Sequence, residues 1–190
     1  MYKKLLLLVG LIIMACNSKL YAQITFLGAS ANYGSWIKEI GASAYGIYSI
    51  SNKIDIVPNV TYFYPHEVQI NETLKTGTEK YTWWVINLDG HWVLYEKSII
   101  HVFGLMGLNF TNETKKEDYV TQGQPFKIKT ATTKLGLNVG AGIQFPLSKF
   151  FIPFTEIKYT LGEKDQGVIS LGVLFRIAPD RVKDEMEDYY

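Results

Sequence analysis

The sequence predicts an all-β chain, folded as an eight-stranded antiparallel up-and-down transmembrane β-barrel. Three observations lead there. Apolar and polar residues alternate with period two in one segment after another. Short turns and longer polar stretches alternate between those segments, and aromatic side chains gather near segment ends. Period two is the signature of a strand, whose successive side chains point to opposite faces. The bulk composition hides this pattern. Hydrophobic residues make up 47 % of the chain, mean hydropathy is near zero, and the formal net charge of +1 gives no general attraction to nucleic acid. Beyond the N-terminal apolar stretch, no run is long enough for a membrane helix, which needs roughly 20 apolar residues.

The N-terminal segment comes first in chain order. Lys3 and Lys4 precede an apolar stretch from Leu5 to Ala15, the layout of an export signal. Cleavage after Ala22 makes residues 1–22 the signal and 23–177 the barrel, with 178–190 left as a charged periplasmic tail. A second reading stands beside it. Ile13-Met14-Ala15-Cys16 resembles a lipoprotein cleavage box, in which Cys16 would carry lipid. Cys16 is the sole cysteine, so on either reading no disulfide holds the exported chain.

The strands follow. Gln23 to Tyr33 is rich in small residues. Glu39 to Ser49 sets Ile40, Ala42, Ala44 and Tyr48 against Glu39, Gly41 and Ser43. Ile54 to Tyr64 sets Ile54, Ile56, Val60, Tyr62 and Tyr64 against Asp55, Asn59 and Thr61. Tyr81 to Tyr95 places Trp84, Ile86, Leu88, Trp92 and Leu94 opposite Asn87, Asp89 and His91. Ile99 to Thr111 is apolar on both faces. Thr133 to Phe145 is the clearest: Leu135, Leu137, Val139, Ala141, Ile143 and Phe145 share one face, with only polar residues and glycines on the other. Phe151 to Leu161 sets Ile157, Tyr159 and Leu161 against Glu156, Lys158 and Thr160. Val168 to Ile177 sets Ile169, Leu171, Val173, Phe175 and Ile177 against Ser170, Gly172, Leu174 and Arg176.

Between these strands, Asn52-Lys53, Glu96-Lys97-Ser98 and Pro146-Leu147-Ser148-Lys149 read as short turns. His66 to Lys80 and Asn112 to Thr130 read as long polar loops. Transmembrane barrels have short periplasmic turns and longer external loops. With the N-terminus in the periplasm, each connection falls on its proper side.

A soluble barrel alternates too, but with its apolar face turned inward around a ligand. The candidate inner face here carries Glu39, Asp55, Asp89, Glu156, Lys158 and Arg176, a poor lining for an apolar cavity. The strands are also longer than the usual five or six residues of globular proteins. Tyr62, Tyr64, Trp84, Phe110 and Tyr159 would mark one interface, and Tyr48, Tyr95, Phe145 and Phe175 the other, as amphipathic rings do at the two sides of a bilayer. Lipid offers no partner to an open strand edge, so the sheet must close.

On these grounds the chain resembles the small OmpA/OmpX-type outer-membrane barrels, including the porin-like outer membrane protein β-barrel domain families. The resemblance spans nearly all of residues 23–177. Its most specific part is Ser170-Leu171-Gly172-Val173-Leu174-Phe175-Arg176-Ile177, similar to the terminal-strand signal read by the barrel-assembly machinery, with Gly172, Phe175 and Ile177 as its marks. The chain departs from that pattern by continuing to Tyr190, and by having in Ser170 a smaller residue than the polar one that usually precedes the glycine. The resemblance implies an outer-membrane location in a Gram-negative bacterium, with membrane lipid, lipopolysaccharide and the assembly machinery as partners.

Three functions are weighed. The first is a non-enzymatic structural or surface-interaction role through loops 66–80 and 112–130, with the six lumen charges paired inside, since unpaired buried charges are very costly. The second makes the same charges a narrow ion path. The third is lipid modification. Enzymes of that kind use a histidine with a serine, and of His66, His91 and His101 only His66 falls near the outer rim, without a clear serine and acidic partner in the sequence. No histidine pair has metal-ligand spacing and no glycine-rich phosphate loop follows a strand, so no metal or cofactor is expected.

Overall fold

The computed structural model describes residues 24–72, 75–97, 99–121, 124–163 and 165–177. The export signal, Cys16 and the tail from residue 178 lie outside them. Eight strands follow one another: β1 (Ile24–Gly34), β2 (Glu39–Ser51), β3 (Ile54–Glu72), β4 (Lys75–Lys97), β5 (Ile100–Thr121), β6 (Gln124–Gln144), β7 (Phe151–Gly162) and β8 (Gln166–Arg176). Each pairs antiparallel with the next, and β8 returns to β1, with Ser30 opposite Gly172 and Asn32 opposite Ser170. The ring is closed, so no strand edge faces lipid within it.

The alternation decides which face is outside. On β6, Leu135 is 62 % exposed and Leu137 and Val139 are also exposed, whereas Asn138 between them is 1 % exposed. The apolar face is the outer one, as a lipid solvent requires. Rings cluster at both margins of this band. Tyr62 and Trp84 lie 4.7 Å apart at one end, and Phe151 and Phe175 lie 5.7 Å apart at the other.

Two sequence expectations need correction. The stretches 66–80 and 112–130, read as loops, are mostly strand. The β3–β4 pairing continues out to Glu72 and Lys75, and the β5–β6 pairing to Thr121 and Gln124. Their polar composition suggested loops, but Thr, Val, Ile, Tyr and Phe among the charges suit a pleated surface. Cross-strand ion pairs support the extension: Lys80–Glu67 at 2.5 Å, Lys115–Glu79 at 3.1 Å and Lys134–Glu113 at 2.6 Å. The second correction concerns what fills the lumen, which is not charged side chains alone. Tyr45, Ile47, Val57, Ile152, Phe154 and Leu174 pack together inside, and so do Ile37, Phe63, Trp83, Val85 and Val168. The interior of an eight-stranded barrel is narrow enough for side chains to fill, and large apolar groups do part of that filling.

Glycine matters where walls crowd the interior. A Cβ on Gly107 would lie 2.3 Å from Asp89 Oδ1 and 2.4 Å from the Leu88 carbonyl oxygen. One on Gly172 would lie 2.5 Å from the Phe154 ring.

Candidate functional site

The interior is stacked along the barrel axis, and register explains the order. Reading inward-facing residues along β3 from its start gives Asp55, Val57, Asn59, Thr61 and Phe63. Along β8 from its end come Arg176, Leu174, Ser170 and Val168. Asp55 and Arg176 therefore lie below the first apolar cluster, towards the short turns. Asn59, Thr61 and Ser170 lie between the two clusters.

That middle layer holds the charges. Lys158 on β7 reaches across to Asp89 on β4, Nζ to Oδ2 at 3.2 Å, and lies 3.3 Å from Glu156 Oε1 on its own strand. All three are almost wholly buried. Asp89 also accepts hydrogen bonds from Asn59 Nδ2 at 3.1 Å and Asn138 Nδ2 at 2.7 Å. Asparagines extend the network around the wall. Asn87 donates to Asn59 Oδ1 at 2.7 Å, and Asn87 Oδ1 accepts from Asn109 at 2.7 Å and Asn138 at 2.9 Å. Thr160 donates to Asn138 at 2.8 Å. On the facing wall Asn32 donates to Ser43 at 2.7 Å, and Ser43 meets Thr61 at 2.6 Å. His91 stacks on Phe103 with ring centroids 4.3 Å apart and places Nε2 3.7 Å from Glu156 Oε2.

Of the six charges singled out in the sequence, the fold brings three together: Asp89, Glu156 and Lys158. The other three sit elsewhere. Glu39 stands at the start of β2, at the end of the ring away from the short turns, where its Oε1 lies 2.5 Å from His66 Nδ1. Arg176 is on the same strand as Ser170, the partner of Glu156, but six residues on, roughly 20 Å along a strand. It lines the cavity at the short-turn end with Asp55, and its guanidinium lies 5.9 Å from the Phe26 ring. That cavity has a volume of about 350 Å³, and its walls include His101, whose Nε2 lies 3.3 Å from Glu96 Oε1. Two voids nearer the other end measure about 20 and 10 Å³, no more than a water molecule fills.

The asparagine ladder and His91 are the members that sequence reasoning did not pick out. Their inward parity was readable, but only pairing register brings Asn59, Asn87 and Asn109 into one row and sets Asn138 in the next, with Asp89 and Gly107. Gly172 packs against Phe154, while Phe175 and Ile177 project outward at the end of β8. Among the described residues no group of His, Cys, Asp and Glu forms a metal-binding cluster.

Beyond the Tyr62 and Trp84 rings, β3 to β6 rise as a four-stranded sheet. On its inward face Lys115 Nζ lies 3.1 Å from Glu79 and 2.8 Å from Glu117, and the hydrogen bond to Glu117 is the main cause that holds its ammonium above the ordinary range. Glu67 likewise raises Lys80 through its hydrogen bond. Tyr119 stacks on Phe126 at 5.6 Å near the tip. The sheet has two open edges. β2 pairs with β3 no further than Phe63, and β7 pairs with β6 only from Gly136 onward.

No protein family matches this chain, and none of the curated proteins does. Solved structures do. Neisserial surface protein A superposes with a TM-score of 0.56 at 14 % identity, over 82 % of this chain and 99 % of that one. Ail of Yersinia pestis, in complex with the heparin analogue sucrose octasulfate, gives 0.52 at 16 % identity, over 80 % and 96 %. The N-terminal β-barrel domain of Pseudomonas aeruginosa OprF gives 0.50 at 13 % identity, over 81 % and 98 %. At these identities the shared property is the fold, a small closed barrel of eight antiparallel strands like those of these outer-membrane proteins.

Proposed function

We propose that this outer-membrane barrel acts through the sheet it raises beyond the membrane, as a non-enzymatic surface-interaction protein with a closed lumen. The observation that carries the reading is the continued pairing of β3 to β6 well past the aromatic margin, with an open edge on each side. Open edges offer unpaired backbone donors and acceptors to an extended partner, and external segments carry function more often than the scaffold does. The stacked interior supports the closed lumen: an apolar layer lies on each side of the buried Asp89–Lys158–Glu156 group. In the same reading Gly172, Phe175 and Ile177 serve recognition by the barrel-assembly machinery, and the export signal is removed.

Planar-bilayer recording on the refolded full-length protein tests the lumen. The expected result is a bilayer without sustained steps. A steady conductance that changes in Glu156→Gln or Lys158→Met would establish the narrow pore instead, a reading favoured by the buried charge group itself. Mass spectrometry of lipid A from cells with and without the protein should show unchanged acylation, and an altered pattern would overturn the non-enzymatic role.

A further inference from the structure

The projecting sheet leaves apolar side chains at its two edges and charges in its middle. On the inward face, Glu79, Lys115 and Glu117 occupy the central strands. Val68 on the β3 edge is 41 % exposed, and Ile128 and Phe126 on the β6 edge are 45 % and 46 % exposed. Pairing puts them on that same face: Val68 is opposite Glu79, and Ile128 is opposite Glu117. Apolar groups left exposed above the lipid-facing band are what a second protein surface covers. The two edges also differ in charge. Residues 66–72 include two glutamates and no lysine or arginine, whereas residues 124–135 include three lysines and no carboxylate. Lysines on an edge strand ordinarily ward off pairing with another chain. Here they act against a second β6 edge and favour a β3 edge, where Glu67 is exposed.

Strand direction makes the same choice. Direction alternates from strand to strand, so β3 runs out from the ring and β6 runs back towards it. Copies of one protein stand in a membrane with the same end outward. A β6 edge beside a β3 edge is then antiparallel, while two like edges would be parallel, the less stable pairing. We propose that β6 of one copy pairs with β3 of the next, joining the projecting sheets of neighbouring barrels. One register suits both faces. Val68 opposite Ile128 and Ile70 opposite Phe126 match apolar groups on the inward face, and the same register sets Glu67 opposite Lys129 on the outward one. Glu67 is on that outward face with its partner Lys80, and Lys129 joins them there through Lys116. The two joined edges are different surfaces, so the contact repeats as a row or a ring. The inference rests on the reading that the sheet acts outside the cell, and it names the partner as a second copy of this chain.

Disulfide trapping in the outer membrane tests the pairing. Gln69 and Lys127 are opposite each other in this register. Two differently tagged full-length chains, Gln69→Cys and Lys127→Cys, are expressed together and oxidised with copper phenanthroline, wild type reporting any background from Cys16. A mixed dimer should form, and dimers of either variant with itself should stay at background. Adding Glu67→Lys to the Gln69→Cys chain should remove most of the mixed dimer, and adding Lys129→Glu to its companion should restore it. Gel mobility with and without boiling confirms a folded barrel in every sample. Labelling of Thr76→Cys on intact cells, in an otherwise wild-type chain, reports the side of the membrane independently. Labelling at position 76 without a mixed dimer would overturn the self-pairing and leave the surface role standing. No labelling there would overturn both. Like dimers outnumbering mixed ones, or a mixed dimer indifferent to the charge changes, would also overturn the proposal.

Discussion

Lys158 Nζ lies 3.2 Å from Asp89 Oδ2, joining strands β7 and β4 on different walls of the barrel, with both side chains at most 4 % exposed. Three residues donate to the same carboxylate, since Asn59 and Asn138 bond it as well. Removing one partner of a buried pair strands the other charge, at a cost of about 3–5 kcal/mol. Lys158→Met should therefore lower unfolding stability by that order, measured by urea titration in micelles. Lys158→Met combined with Asp89→Leu should recover a substantial part of the loss. Equal stability of wild type and Lys158→Met would show that the pair carries no energetic weight.

Gly107 keeps the site next to Asp89 open. Its added Cβ would meet Asp89 Oδ1 at 2.3 Å and backbone at 2.4 Å, so a shift of the side chain alone does not relieve it. Gly107→Ala should cost about 1–3 kcal/mol by overpacking, while the same change at Gly46, where the nearest contact is Pro58 at 3.7 Å, should cost far less. Paired denaturation curves decide this.

Leu137 and Asn138 are neighbours with opposite surroundings, one exposed on the outer face and the other buried. Leu137→Arg should cost about 2–4 kcal/mol of folding free energy into bilayers, the penalty for a cation near the midplane of a barrel wall. A tolerated arginine there would place the apolar face away from lipid.

The projecting hairpins are separable from the ring. β1, β2, β7 and β8 end near the level where β3 and β6 lose their outer neighbours. Deleting residues 68–79 and 116–129, with short turns in their place, should leave a heat-modifiable barrel. It should also abolish any binding activity found at the cell surface. A chain that no longer folds after the deletion would make the hairpins part of the structural core.

The sequence displayed the membrane ring well, because a strand with one lipid face needs only local alternation to announce itself. Leu135 to Ile143 on β6 is such a case. The interior was less legible. Glu39, Asp55 and Arg176 have the same inward parity as Asp89 and Glu156, yet their height along the axis depends on pairing across strands far apart in the chain. The asparagine ladder was hidden for that reason. Apolar Tyr45, Phe154 and Trp83 break the simple in-and-out rule because a narrow lumen must be filled. The hairpins were misread because Lys and Glu in alternating cross-strand pairs look, in one dimension, like a solvated loop.

The most direct test of the account is the sidedness of the projecting sheet. Single cysteines placed by Thr76→Cys near the hairpin tip and by Asn52→Cys in the β2–β3 turn can be probed on intact cells with a membrane-impermeant maleimide, wild type reporting any background from Cys16. Labelling is expected at position 76 in intact cells, and at position 52 only after the outer membrane is permeabilised. The reverse pattern, or equal labelling of both before permeabilisation, would contradict it.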